Sequence, residues 1–357
     1  MQLANKGRGR VSPNPLVGAV VVRDGQVVGE GYHAQYGGPH AEVVALERAG
    51  ERARGATLYV NLEPCCHYGK TPPCTDAIIR AGIRKVVVAL VDPNPLVKGQ
   101  GIEALRKAGI EVELRDQLAA AQRLNRGYLK WIRTGLPYVT AKAAITLDGK
   151  VATVARESKW ITSESARRRA HRLRAEHDAV LVGRGTLLAD DPELTVRYVR
   201  GPNPWRVILD EDLGASQGCR AVELGRRDGK TILFASRSKV DAASSRPFQA
   251  EGIHVELVDS RENGFLDLKQ VLETLGKRGV TSVLVEGGSS ILTSFLREQL
   301  VDELVLFLAP KLLGSGLSLA GELGISRLDQ ALQFSFSRIE RLGPDLCLWL
   351  VPAWAKD

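Results

Sequence analysis

The feature that most restricts how this chain can fold is an alternation of short β-branched runs with helically spaced apolar runs, interrupted once at Gly135 and Pro137. Before the break, strand-like runs at 57–62, 85–91 and 110–114 are separated by helical spacing at 75–81 and 101–108, and the alternation resumes after it. Strands and helices that alternate can bury their apolar faces only as stacked layers, so each side of the break reads as an α/β layered domain. The 357 residues also exceed what one hydrophobic core comfortably serves. The predicted domains are therefore 1–136 and 137–357.

Local chemistry adds detail. Residues 17–30 form two β-rich runs around Asp24-Gly25, a pair that favours a tight hairpin. A helix is expected after Pro39, with Ala41, Val44, Ala45, Leu46 and Ala49 in helical register and Gly50 as its stop. A basic helical stretch spans 118–133. In the second half, strands are expected at 138–145, 179–182, 206–209, 231–234, 283–285 and 304–308, and helices at 164–176, 268–277 and 290–299. No repeat or low-complexity tract is visible. The first residues lack the continuous apolar run of a secretory signal, and no segment approaches the ~18 apolar residues of a membrane span. A cytoplasmic protein with no membrane partner is expected.

The net charge of +8 is uneven, with 19 Lys+Arg against 12 Asp+Glu in residues 1–137 and 30 against 29 in the remainder. A basic front half suits nucleic acid, a phosphorylated small molecule, or simply a soluble surface, and charge alone does not choose.

Cysteine placement is more informative. Of Cys65, Cys66, Cys74, Cys219 and Cys347, three fall within ten residues, and in a reducing compartment such a cluster points to metal before disulfide. His40-Ala41-Glu42 opens the first long helix, while Pro64-Cys65 and Pro73-Cys74 each stand where a helix could begin. At a helix N-terminus the dipole favours thiolate, the form that zinc binds. One imidazole and two thiolates would leave one tetrahedral Zn²⁺ per chain with an open corner, and Glu42 would serve as proton shuttle. The alternatives are a closed structural site with Cys66 as fourth ligand, or no metal. Adjacent side chains at a helix start diverge by about 100°, so Cys65 and Cys66 would share an ion only with distortion. His33 and His67 are expected on the surface or in a substrate pocket.

The order His-x-Glu, Pro-Cys, Cys resembles the zinc-dependent cytidine deaminase superfamily. The loop from Glu63 to Cys74, with eight residues between Cys65 and Cys74, is similar to the riboflavin-pathway branch of that superfamily, as are Pro13-Asn14-Pro15-Leu16-Val17-Gly18 and Asp92-Pro93-Asn94-Pro95. The resemblance implies hydrolytic deamination of a diamino-hydroxypyrimidine carrying a ribosylamino 5-phosphate. It assigns zinc to His40, Cys65 and Cys74, and to Glu42 the transfer of a proton from water to the departing ammonia. Asn14, His67 and Lys70 would contact the ring or the phosphate. Two departures stand out: Cys66 occupies a place where the branch commonly has Ser, and Met1 to Lys6 supplies only the last turn of a helix that usually precedes the Pro-Asn-Pro motif.

In the second half, Ser282 to Glu286 runs into Gly287-Gly288-Ser289-Ser290 and a helix, a layout whose backbone N–H groups can hold phosphate. It is not the three-glycine dinucleotide fingerprint, and Gly183-Arg184-Gly185 lacks the third glycine and is not expected to precede a helix, which disfavours a Rossmann domain. Residues 142–150, 158–163, 186–197, 286–288 and 309–314 are similar to the reductase half of the same bifunctional family, whose fold is similar to dihydrofolate reductase. The implied fold class is an N-terminal cytidine-deaminase-like layered α/β domain followed by a dihydrofolate-reductase-like α/β domain.

By this resemblance NADPH would contact Ala144, Trp160, Thr186, Asp190 and the run Gly288-Ser289-Ser290-Ile291-Leu292-Thr293-Ser294. Ser158, Arg174, Leu194, Arg197 and Glu286 would contact the sugar phosphate, where guanidinium forks suit phosphate. Hydride transfer to C1 of a ring-opened ribose imine would turn ribosylamino into ribitylamino. Glu211 stands where the family often has Ser near the cofactor; a carboxylate there would repel a 2′-phosphate and weaken the preference for NADPH over NADH. The expected partner is a phosphorylated pyrimidine and not nucleic acid, and a homo-oligomer is compatible with the reading. A nucleic-acid deaminase would share the zinc ligands but leave the second half idle.

Overall fold

The computed structural model describes residues 1–115, 119–262 and 264–355, and the chain separates into two units, Met1–Leu136 and Pro137–Asp357. In the first, α1 (Gln2–Asn5), β1 (Gly18–Arg23), β2 (Gln26–Tyr32), α2 (Ala41–Ala49) and β3 (Thr57–Val60) are followed by α3 (Cys74–Arg80), β4 (Lys85–Val88), α4 (Gln100–Lys107), β5 (Glu111–Leu114) and α5 (Ala119–Thr134). The predicted start of the last helix at residue 118 lies outside the described residues. The sheet order is β2-β1-β3-β4-β5, with β1 antiparallel to both neighbours and β3, β4 and β5 parallel.

The hairpin turn follows from its residues: Asp24 and Gly25 have φ of 49° and 74°, as the two-residue turns that match strand twist require. α2 then packs directly on β2, because a Cβ on Gly29 or Gly31 would fall 2.2 Å from the Ala45 carbonyl or 2.1 Å from the Ala41 carbonyl. The core between sheet and helices includes Val21, Leu58, Ile78, Val86, Val88 and Leu105.

The second unit contains β6 (Tyr138–Ile145), β7 (Lys150–Ala152), α6 (Glu164–Glu176), β8 (Ala179–Gly183), α7 (Arg184–Asp190), β9 (Trp205–Leu209), α8 (Arg220–Asp228), β10 (Thr231–Ser236) and α9 (Ala242–Ala250). There follow β11 (His254–Val258), α10 (Leu268–Lys277), β12 (Ser282–Val285), α11 (Ser289–Arg297), β13 (Glu303–Leu308), β14 (Leu317–Ser318), β15 (Phe334–Leu342) and β16 (Asp345–Pro352). Nine strands form one sheet in the order β11-β10-β9-β8-β12-β6-β13-β16-β15. The strands from β11 to β13 are parallel, and β16 and β15 close the edge as an antiparallel hairpin.

From β8 the chain moves outward through β9, β10 and β11, then returns to insert β12 between β8 and β6. Where strand order reverses in a parallel sheet, the flanking connections part and leave a crevice at the carboxyl ends. The ends of β8 and β12 are therefore the natural binding edge of this unit.

Two expectations are corrected. A helix, α7, does follow Gly183 directly; Arg184-Gly185 did not read as a helix start because glycine disfavours helix interiors. No helix begins at Pro64-Cys65, where the chain from 61 to 73 is loop. The strand expected at 231–234 is β10, but α8, α9, β11 and the terminal hairpin were not legible: α9 carries Pro247 within it, a residue that ordinarily signals a break. Among the described residues no helix is long and apolar enough to cross a membrane.

Candidate active sites

In the first unit, His40 is the residue that precedes α2, in extended conformation, and Cys74 is the first residue of α3. Cys65 sits in a loop, but its sulfur accepts the backbone N–H of Cys74 at 3.3 Å. Its thiol thus reaches a helix N-terminus through space, that of α3, where the dipole favours thiolate. His40 Nδ1 lies 3.2 Å from Cys74 Sγ and 3.5 Å from Cys65 Sγ, and the three ligand atoms lie within 4.8 Å of one another. With Zn–N and Zn–S bonds of about 2.0 and 2.3 Å, a tetrahedral N–S edge is about 3.5 Å, so the triad has the span and donor set that zinc takes. Among the described residues it is the only such group. Cys66 turns its thiol toward the Leu96 carbonyl, 3.7 Å away, and stands outside the triad.

Electrostatics agree with this geometry. The hydrogen bond from the Cys74 thiol draws Cys65 down to about 4, while Cys74 itself is pushed up. Glu42, in the first turn of α2, is buried; desolvation, reinforced by the Cys65 thiolate, lifts its carboxyl to about 7. A carboxyl that titrates near neutrality both accepts and releases protons there. Thr71 Oγ1 stands 3.4 Å from His40 Nε2, placed to accept its N–H and leave the Nδ1 lone pair facing the thiols.

The Pro-Asn-Pro segment is held from behind. The Leu16 N–H donates to Asn125 Oδ1 at 2.7 Å, and the Leu16 carbonyl accepts from Asn61 and Asn125 at 2.8 and 3.1 Å. Of the two places expected for His33, surface or substrate pocket, its burial excludes the first. Its Nδ1–H donates to the Pro39 carbonyl at 3.0 Å, which leaves Nε2 to accept Asn14 Nδ2–H at 3.1 Å. Asn14 is thereby oriented with its amide nitrogen toward His33 and its amide oxygen turned away. Lys70 Nζ lies 4.0 Å from the centre of the Tyr36 ring, and the buried Nδ1 of His67 has no hydrogen-bond partner among the described residues. Thr71, His33, Asn61 and Asn125 were missed as supports because each acts across distant sequence.

In the second unit, Glu286 follows β12 at the binding edge. Its carboxylate accepts both Arg174 Nε–H and Nη2–H at 2.8 Å, and Lys142 Nζ on β6 stands 3.9 Å away. Burial alone would raise the Glu286 carboxyl, but the Arg174 and Lys142 charges outweigh it and hold it at about 2. Burial pushes Lys142 below its ordinary value. Arg174 spends a third donor on the Thr195 carbonyl at 3.0 Å, so its fork is turned onto Glu286 and the 194–197 loop and not outward.

The expected substrate residues lie around this cluster. Leu194 is buried with φ of 55°, and the exposed Arg197 guanidinium donates to Glu193 at 2.7 Å. Ser158 caps a turn by accepting the Ile161 N–H. Lys142 was missed as a site residue, although it opens the 142–150 segment that is similar to the reductase half of the family.

The expected cofactor residues divide. Thr186 Oγ1 accepts the Gly288 N–H at 3.0 Å, and Asp190 pairs with Lys159 at 3.1 Å. Trp160 is 59% exposed and so is no core aromatic; the Arg167 guanidinium stacks 4.5 Å above it. Ala144 lies on β6 near its carboxyl end. Gly288, Ser289 and Ser290 form the N-terminus of α11, with Ile291 packed so closely that a Cβ on Gly287 would fall 1.5 Å from it. Leu292, Thr293 and Ser294, by contrast, are buried, and both hydroxyls donate back to carbonyls of the preceding turn. Beside β9, Glu211 is neighboured by Arg184, which pairs with Asp212 at 2.5 Å and Asp210 at 3.5 Å.

The chain resembles known proteins over nearly its whole length. Residues 1–90 match the family model described as the cytidine and deoxycytidylate deaminase zinc-binding region, and residues 137–348 match the RibD C-terminal domain. A riboflavin biosynthesis protein RibD of Aquifex aeolicus is 47% identical over 98% of this chain and 95% of its own length. The chain belongs to the RibD family.

Further members agree. The Escherichia coli RibD is 43% identical over 99% of this chain and 97% of its own. The solved Acinetobacter baumannii RibD superposes with a TM-score of 0.89 at 39% identity, covering 99% of this chain and 96% of its own. A Thermotoga maritima diaminohydroxyphosphoribosylaminopyrimidine deaminase/5-amino-6-(5-phosphoribosylamino)uracil reductase gives 0.87 at 38% identity, with the same coverage. With membership of the RibD family come a deaminase with zinc, a reductase with NADPH and a place in riboflavin biosynthesis. The fold class expected from the sequence holds for both halves.

Proposed function

We propose that the chain carries out two successive steps. The unit at 1–136 deaminates 2,5-diamino-6-ribosylamino-4(3H)-pyrimidinone 5′-phosphate, and the unit at 137–357 reduces its ribosyl group to ribityl. The observation that carries this reading is the convergence of His40, Cys65 and Cys74 beside the buried carboxyl of Glu42. His40, Cys65 and Cys74 would hold the metal, and zinc there supplies the Lewis acidity that makes water a nucleophile near neutral pH. Glu42 takes the proton from water and returns it to the leaving amine. Asn14, held by His33, presents its amide oxygen to the donor edge of the pyrimidine.

In the second unit Thr186, Asp190, Trp160 and the start of α11 would hold NADPH, which would supply hydride when bound. Arg197 meets the substrate phosphate. Glu286, kept ionised by Arg174 and Lys142, accepts from the ribose hydroxyls and favours positive charge on the imine nitrogen as C1 is reduced. The same proposal includes a cytoplasmic setting, which keeps the thiols reduced, and self-association through the edge strand β15, where Phe336 and Ile339 are exposed.

A coupled assay tests the reading: ammonia release and NADPH oxidation are followed separately with the diaminopyrimidine and with its deaminated product. The expected result is ammonia from the first without NADPH, and NADPH oxidation with the second without ammonia. If NADPH is never consumed with the deaminated substrate, the two-step reading fails.

A further inference from the structure

Within the run Arg167-Arg168-Arg169-Ala170-His171-Arg172 on α6, His171 behaves unlike its neighbours. Arg168 is exposed and pairs with Glu164 in its own helix. His171 is buried, on the same helical face as Arg167 and Arg174, at spacings of four and three residues. Its Nδ1 stands 3.1 Å from the backbone nitrogen of Arg197. A backbone N–H can only donate, so Nδ1 is the acceptor and the ring is neutral. The ring packs edge-on against Tyr198, the centroids 4.7 Å apart. His171 thus grips the loop on both sides of the Arg197 Cα, by a hydrogen bond before it and a ring contact after it.

We propose that His171 is a positioning residue for the reductase, which sets the backbone at Arg197 and so aims its guanidinium at the substrate phosphate. The inference rests on the reading of Arg197 as the phosphate contact. Three features support it. The loop leaves α7 through Asp191 and Leu194, both with positive φ, 38° and 55°, so its course is not one the backbone adopts unaided. The Arg197 guanidinium is held by Glu193 at 2.7 Å and the Thr195 hydroxyl at 3.5 Å, both in its own loop, so the placement of that loop's backbone decides where the guanidinium starts. Finally, desolvation, with the Arg174, Arg197 and Lys142 charges, holds the imidazole down at about 4, so the acceptor persists at neutral pH.

Two substitutions in the full, zinc-loaded chain separate acceptor from ring. His171→Phe keeps the stack on Tyr198 and removes the acceptor. His171→Asn loses the ring but places an amide oxygen where Nδ1 was. KM for the deaminated substrate is expected to rise about three- to tenfold in H171F, the worth of one hydrogen bond, and clearly less in H171N. The kcat, the Kd for NADPH and ammonia release from the diaminopyrimidine stay near wild type. Equal losses in H171F and H171N, or an unchanged KM in H171F, overturn the proposal. Arg197→Ala distinguishes it from the reading beneath: a raised KM there with an unchanged H171F sinks only the role of His171, whereas an unchanged KM in R197A sinks both. Should H171F not fold, amide exchange in the wild-type protein decides. The Arg197 N–H is expected to exchange slowly despite its loop position, and fast exchange overturns the bond.

Discussion

The two sites solve the same problem, keeping charge buried, by opposite means. In the first unit the triad falls between His40 and Cys74, and its sulfur atoms gather at the start of one helix, where a metal ion can neutralise them. In the second, Lys142, Arg174 and Glu286 come from a strand, a helix and a strand end spread over more than a hundred residues, and they neutralise one another. Charge in the first unit is thus coupled to a metal, and in the second to pairing across the fold. Removing one member has different consequences in each.

The largest expected effect tests whether chemistry in the first unit is separable from its metal. Glu42→Ala should cut ammonia release by about 10²–10⁴-fold, the usual worth of a positioned proton carrier. Zinc should stay bound, with NADPH oxidation of the deaminated substrate unchanged. Loss of zinc in this variant would show that Glu42 supports the metal and would blur the contrast.

Next in size is the metal itself. Cys74→Ser should drop zinc from one per chain to near none, whereas Cys66→Ser, whose thiol faces the Leu96 carbonyl, should retain it. Metal analysis of both purified variants decides, and equal loss would mean a closed four-ligand site.

For the second unit the corresponding cut is Arg174→Ala. It leaves Glu286, 7% exposed at its side chain, with Lys142 alone, and breaking a buried pair from one side costs about 3–5 kcal/mol. Denaturant unfolding of the second unit should show it while zinc content stays constant. A cost below about 1 kcal/mol, the level of an exposed pair, would break the comparison.

The smallest effect is acid sensitivity. Glu286 is held at about 2 against an ordinary 4.5, so it contributes stability that is present above 4.5 and lost as pH falls toward 2. His171, at about 4 against 6.5, is neutral in the fold; protonation opposes folding progressively as pH falls from 6.5 to 4. Both have the same sign. The melting temperature of the second unit should therefore decline on acidification from pH 6.5; a flat profile from 6.5 to 4 would contradict the His171 contribution, and a flat one from 4.5 toward 2 that of Glu286.

Legibility followed the range of the interaction. Strand Tyr138–Ile145 and helices Glu164–Glu176 and Leu268–Lys277 lie where periodicity predicted them, and the Asp24-Gly25 hairpin follows from its turn residues. The His40, Glu42, Cys65 and Cys74 set was readable because its members are close in sequence and chemically distinctive. Arg174 and Glu286 were each expected to face substrate, but nothing in a linear pattern says that two residues 112 apart will bind one another. Within the basic run on α6, the spacing of Arg167, His171 and Arg174 places one stripe on a common face.

The sequence by itself determined what is local: the alternation of elements, the break at Gly135 to Pro137, the turn at Asp24-Gly25 and the inventory of groups able to bind metal or carry a proton. These follow from backbone sterics and from side-chain chemistry within a few residues. Only the tertiary structure decided that Cys65 caps a helix to which it does not belong, and that Leu292 to Ser294 turn inward while Gly288 to Ser290 stay at the helix start. It also decided that the fork of Arg174 closes on Glu286. Each of these is settled by desolvation. A buried thiolate or guanidinium must find a partner, and which one lies within reach depends on how sheet and helices pack.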